Sequence, residues 1–340
     1  MAHSKAGNLI ILLGTGAVVH PPHNSQTVRM LMTAVMDNKG RFSVRYNPLT
    51  LLTSIAHRWL LHAFRIRQRG YAAPPIKDGL HAHQVQFPTA NGKNLIGWWC
   101  DPGQRGTVVV MMHGWGANAS HLFPLAQAFV AAGHPVLLFD ARCHGLSDDD
   151  GFASLPRFSE DILAALHYLA SLGHTTPLLL GHSVGAGAAL LAATRWKSLQ
   201  GVVSISAFAH PQEMMRRCLR GWHIPYWPIG GWLLRHVQRI IGHRFDDIAP
   251  IHTIRQLEIP LLLIHGEADT TVPVADAQRL HRANPLSELF VLPEAGHNRV
   301  EELLPHTEQL LAWIAALNPT AISRAQSEPI PTVYSKKVSL

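Results

Sequence analysis

Ser183 lies in Gly181-His182-Ser183-Val184-Gly185, a serine framed by glycines two positions away on each side. A serine hydroxyl is a poor nucleophile until a neighbouring base takes its proton. The flanks give the pattern meaning. Leu178-Leu179-Leu180 before it reads as a buried strand, and 184–196 after it reads as a helix. A serine between the two would sit on a sharp turn in strained backbone, which the glycines admit without clashes. The helix N-terminus would aim its N–H groups at the reacting oxygen.

Such a serine needs a base. Of 23 histidines, His297 suits best, because Glu294-Ala295-Gly296-His297-Asn298 falls between the last expected strand and the last expected helix. An imidazole in turn needs a carboxylate to fix its tautomer and stabilise its charged form. Asp269 is the candidate, in the segment from His265 to Pro273. Glu267 is a near rival, and Asp246 and Asp247 are remote ones. A developing oxyanion needs two backbone donors. Val184 N–H, just after the serine, is one. Trp115, in His113-Gly114-Trp115-Gly116 after an apolar run, is the other. Contacts to a substrate are expected from His113, His182, Trp222 and Trp227.

The elements that must position these residues alternate along the chain. Expected strands are 83–87, 95–100, 107–112, 135–140, 177–181, 202–206, 260–265 and 289–292. Expected helices are 120–132, with Ser120 as its cap, 159–172, 184–196, 275–283 and 301–317. Asn91-Gly92 marks a hairpin between the first two strands. Buried strands alternating with helices imply a mostly parallel sheet with helices on both faces, here preceded by an antiparallel hairpin. The folded domain spans 75–317. The interval 207–259 breaks the rhythm and holds Trp222, Trp227 and Trp232 among several arginines, so it reads as a small helical cap over the carboxyl edge of the sheet. Residues 1–47 show no coherent pattern. Residues 48–74 read as a helix (48–70) and linker, and 318–340 as a disordered tail.

Composition narrows the classes. Of 340 residues, 47% are apolar and 15% charged, which suits a large core rather than a solvated tail. The formal charge of +7 concentrates in no unbroken run, and no nucleic-acid motif accompanies it. Arginine clusters at 58–69 and 216–220 suit solvated helix faces. The sharper reading is attraction to an anionic membrane surface or an acidic substrate, with peripheral membrane contact through 48–70. Three widely spaced cysteines form neither a disulfide framework nor a zinc pattern and suit a reducing, cytoplasmic setting. No metal or organic cofactor is expected. The apolar run at 8–19 is too short to span a bilayer.

Taken together, five segments make the chain resemble the α/β-hydrolase superfamily in its serine-hydrolase branch. They are the His113-Gly114 loop, Asp140-Ala141-Arg142-Cys143-His144-Gly145, the elbow at 181–185, His265-Gly266 through Pro273, and Gly296-His297-Asn298. The order serine, aspartate, histidine is that superfamily's order. One departure is Cys143, where the pattern usually has glycine. The resemblance is closest to small esterases and thioesterases. It implies hydrolysis of a small-molecule carboxylic ester or thioester through an acyl-enzyme. Aminopeptidase-like or perhydrolase activity on the same residues is the alternative. A membrane-surface protein with a vestigial site is another.

Overall fold

A strand that is apolar on both faces must be covered on both, so the short apolar runs of this chain call for helices on either side of one sheet. The structure, a computed structural model, describes residues 33–36, 42–45, 57, 66, 82–104, 106–297 and 300–317. The chain divides into two units, Met1–Trp59 and Leu60–Leu340. In the first, strands β1 (Thr33–Met36) and β2 (Phe42–Arg45) pair antiparallel. Strands of four residues are too short to reveal alternation, which is why 1–47 looked patternless. The helix expected over 48–70, the membrane contact assigned to it and the tail at 318–340 lie outside the described residues. Exceptions are His57, which is helical, and Ile66, which packs on the core of the second unit.

Among the described residues the second unit carries eight strands: β3 (Ala82–Thr89), β4 (Lys93–Cys100), β5 (Val109–Met112), β6 (Val136–Phe139), β7 (Leu178–His182), β8 (Gly201–Ile205), β9 (Leu261–Gly266) and β10 (Glu288–Leu292). Their order in the sheet is β10-β9-β8-β7-β5-β6-β4-β3. β4 runs antiparallel to both β3 and β6, and the remaining pairs are parallel. Asn91 and Gly92 both take positive φ, 60° and 64°, in the three-residue loop that joins Thr89 to its strand partner Lys93.

The helices in chain order are α1 (Phe123–Ala131), α2 (Leu155–Ser171), α3 (Val184–Arg195), α4 (Pro211–Gly221), α5 (Gly231–Ile241), α6 (Phe245–Ile248), α7 (Pro250–Thr253), α8 (Val274–Ala283) and α9 (Thr307–Leu317). Side chains alternate across the sheet, and each face builds its own core. Val110, Met112, Leu179 and Val202 pack with residues of α2, α3 and α8. Val109, Met111, Leu178 and Val203 pack with those of α1 and α9. Helices α4 to α7 fill the interval between β8 and β9, where the cap was expected.

Two boundaries moved for local reasons. Asn118, not Ser120, caps the turn leading into α1, its Oδ1 accepting Ser120 N–H at 3.1 Å. Helix α2 begins at Leu155, because Pro156 fits a first helical turn.

Candidate active site

The turn after β7 places Ser183 at the sheet's carboxyl edge. Ser183 has φ 56° and ψ −118°, a strained region for a residue with a side chain. Its N–H donates to Ile205 O of β8 at 2.8 Å, and α3 starts at the next residue. The framing glycines are required by close approach. A Cβ at 181 would lie 2.4 Å from Gly185 O, and one at 185 would lie 2.4 Å from His113 O. Gly114 abuts the same turn, its missing Cβ only 3.3 Å from Ser183 Cβ. The chain at Trp115 is thereby held beside Ser183 and the start of α3.

The loops after β9 and β10 bring two more groups to this edge. His297 Nε2 lies 3.0 Å from Ser183 Oγ and accepts its proton. His297 Nδ1–H donates to Asp269 Oδ2 at 2.6 Å. Asp269 Oδ1 accepts the N–H groups of Thr271 and Val272 at 2.9 and 2.8 Å. His265 Nε2 lies 3.3 Å from Asp269 Oδ2 and donates to Val272 O at 2.8 Å. Burial alone would raise the Asp269 pKa. Donation from His265, His297 and Val272 outweighs it and holds the carboxyl well below the ordinary range. A hydroxyl, an imidazole and an ionised carboxylate thus form one hydrogen-bonded chain, the arrangement that lets a serine lose its proton as it attacks. The rivals do not join it. Glu267 is exposed, and Asp246 pairs with His210.

Three residues that sequence reasoning did not single out for these contacts hold the chain in place. His182 Nε2–H donates to the carbonyl of His297 at 2.8 Å. Glu302 Oε2 accepts Gly296 N–H at 2.7 Å. His265 is the third, beneath Asp269. The only sequence signals were adjacency to Ser183 for His182, a carboxylate shortly after His297 for Glu302, and an i,i+4 spacing from Asp269 for His265.

Two of the four residues expected to touch a substrate do otherwise. His113 is fully buried, its Nδ1–H donating to Gly114 O at 2.8 Å and its Nε2 accepting Ala141 N–H at 3.0 Å. Both nitrogens are spent inside the protein. His182 is 3% exposed and clamps the His297 loop. Trp222 and Trp227 are exposed, at 54% and 80%, between α4 and α5. Trp115 is 42% exposed, its indole stacked on Phe158 with centroids 6.5 Å apart.

The loop after β6 resolves the departure at Cys143. It takes φ 66°, the left-handed conformation that favours glycine, so the loop keeps its shape despite the side chain. Its Sγ accepts Asp150 N–H at 3.3 Å. Beside it the buried Arg142 spends its guanidinium on Asp161, Asp150 and Glu160 at 2.7, 3.1 and 2.5 Å. His144 Nδ1–H donates to Arg142 O at 2.9 Å while its Nε2 accepts Gly116 N–H at 3.2 Å. The network ties this loop to the one carrying Trp115.

One group among the described residues has metal-ligand types within reach of a single ion: His210, Asp246 and His252. Its hydrogen bonds oppose a metal. His210 Nδ1 accepts Gln212 N–H at 3.1 Å, so Nε2 carries the proton and donates to Asp246 Oδ1 at 3.0 Å.

Comparisons with known proteins agree with the fold. Residues 103–252 match the family described as serine aminopeptidase, S33. That span runs from before β5 into the cap and includes Ser183, while Asp269 and His297 lie beyond it. The uncharacterized protein YfhR of Escherichia coli K12 is 26% identical over 261 residues, covering 71% of this chain and 84% of its own. Rv2307c of Mycobacterium tuberculosis is 29% identical over 225 residues, covering 64% and 73%. Among solved structures, the Pyrococcus furiosus esterase Pf2001 superposes with a TM-score of 0.60 at 22% identity, covering 74% of this chain and 96% of that one. The esterase RhEst1 from Rhodococcus gives 0.54 at 18% identity, covering 69% and 99%.

Proposed function

We propose that this chain, an α/β hydrolase by fold, is a serine hydrolase that cleaves a small-molecule carboxylic ester or thioester through an acyl-enzyme. The observation that carries this reading is the hydrogen-bonded chain Ser183–His297–Asp269, with Ser183 at the N-terminus of α3. Ser183 Oγ attacks the acyl carbonyl as His297 Nε2 takes its proton. Asp269 stabilises the imidazolium without accepting that proton. The N–H groups of Val184 and Trp115 are assigned to the oxyanion. His297 then protonates the departing alcohol or thiol, leaving the acyl group on Ser183. Water, activated by the same imidazole, releases the acid and restores the hydroxyl.

An aminopeptidase using these groups would need carboxylates to receive the substrate's free amine. Between Glu213 and Asp246 the cap has six arginines and no Asp or Glu, which favours the ester reading. A fluorophosphonate probe tests the nucleophile: labelling should occur in the wild type and vanish in Ser183→Ala. With a p-nitrophenyl ester, kcat should fall roughly 10⁴–10⁶-fold for His297→Ala and roughly 10³–10⁴-fold for Asp269→Asn. Labelling that survives Ser183→Ala overturns the mechanism. A prolyl amide turned over faster than every ester overturns the substrate class.

A further inference from the structure

The cap closes a core of its own and leaves its most aromatic loop outside it. Leu219, Leu233, Leu234, Val237 and Phe245 form that core between α4, α5 and α6. The loop joining α4 to α5 instead presents Trp222, Tyr226, Trp227 and Ile229 to solvent, at 54%, 42%, 80% and 52% exposure. Large apolar side chains grouped in this way mark an interaction surface rather than scattered surface residues. The charge around the loop is one-sided. From 214 to 245 the chain carries Arg216, Arg217, Arg220, Arg235, Arg239 and Arg244 with no carboxylate. Arg217 is spent on the buried Asp276, at 2.9 Å. The other five are exposed. Arg216 lies over the Tyr226 ring, 4.1 Å from its centroid, and donates to its hydroxyl at 2.8 Å, so a cation and an aromatic ring are offered as one surface.

We propose that the α4–α5 loop of the cap docks on a lipid bilayer carrying anionic headgroups. Tryptophan and tyrosine favour the headgroup zone, where the ring is apolar and the N–H or O–H stays wet. Exposed arginines pair with lipid phosphate, each adding attraction near a negatively charged surface. Charge complementarity selects the occupant: Arg244 lies 3.8 Å from Asp246, and the exposed Arg216, Arg220, Arg235 and Arg239 remain as a basic surround that matches a continuous sheet of negative charge. No helix among the described residues is long and apolar enough to cross a membrane.

The experiment uses the full chain as Ser183→Ala, so that vesicles are not consumed and the outcome is independent of catalysis. Flotation is measured with phosphatidylcholine vesicles, with and without roughly 30% phosphatidylglycerol. The expected result is binding only to the anionic vesicles, weakened about tenfold by raising salt from roughly 0.1 to 0.5 M. Trp227→Ser with Ile229→Ser should lower the partition coefficient by roughly tenfold or more. Arg220→Gln with Arg235→Gln, both exposed, should lower it several-fold while thermal melting matches the parent. Absence of binding to anionic vesicles overturns the proposal. So does binding that neither double variant weakens, because another segment then holds the membrane. If the loop variant instead dissociates an oligomer and leaves vesicle binding unchanged, the loop is a protein interface and the proposal falls.

Discussion

Acidification from pH 7 to pH 5 tests the neutral histidines that hold the loops around Ser183. His113 and His144 are fully buried, and each accepts a backbone N–H on Nε2 while donating from Nδ1 to a carbonyl. Neither can take a proton without pointing N–H at N–H. Burial pushes His113 down to about 4, and both His144 and His182 down to about 3. In the unfolded chain a histidine titrates near 6.5. Below about 6.5 the unfolded chain therefore binds protons that the fold refuses, and stability falls with pH until the folded values are reached. At pH 5 the gap of about 1.5 pH units, at ~1.36 kcal/mol each, is about 2 kcal/mol per histidine and about 6 for three. Asp161, raised to about 6 by burial against the pull of Arg142, offsets about 1 kcal/mol. Asp269, held low, adds its own loss only below about pH 4. A net loss of about 5 kcal/mol rivals the whole stability of an ordinary domain, ~5–15 kcal/mol. Urea unfolding followed by circular dichroism at pH 7, 6 and 5 measures it. His113→Gln should be less stable at pH 7 yet lose about 2 kcal/mol less on going to pH 5. An identical pH loss in wild type and variant, or a wild type whose stability is flat across this range, refutes the reasoning.

Three further outcomes are expected. His182→Ala should slow both ester turnover and phosphonate labelling about tenfold with KM unchanged, and His182→Gln, which keeps a donor, should recover most of the loss. Ellman's reagent should modify one thiol per folded chain, the half-buried Cys218. Burial pushes Cys100 up to about 12 and Cys143 up to about 11, so these should react only in denaturant. Arg217→Gln should destabilise the cap by roughly 3 kcal/mol in urea unfolding, because it strips the buried Asp276 carboxylate of two charge-assisted hydrogen bonds.

The elbow was legible because its requirements are local. Gly181 and Gly185 stand where no Cβ fits, between an apolar run and a helix, and those conditions occupy a few consecutive positions. The sheet was legible for the same reason: each buried strand is a continuous apolar run. The cap tip was not, because Trp222 and Trp227 carry the same signal whether they face a core, a pocket or solvent, and only packing separates those outcomes. Histidine shows the limit most sharply. His113, His182, His265 and His297 all sit at the carboxyl ends of strands or in the loops that follow, near the same edge. Three of them donate a ring N–H to a main-chain carbonyl: Gly114, His297 and Val272 respectively. They stiffen the site. His297 donates to a carboxylate instead, which leaves its other nitrogen basic and 3.0 Å from a hydroxyl. His265 shares the Asp269 carboxylate, its Nε2 3.3 Å from Oδ2, so what separates a base from a clamp is the group that faces the second ring nitrogen: a hydroxyl for His297, a backbone N–H for His113.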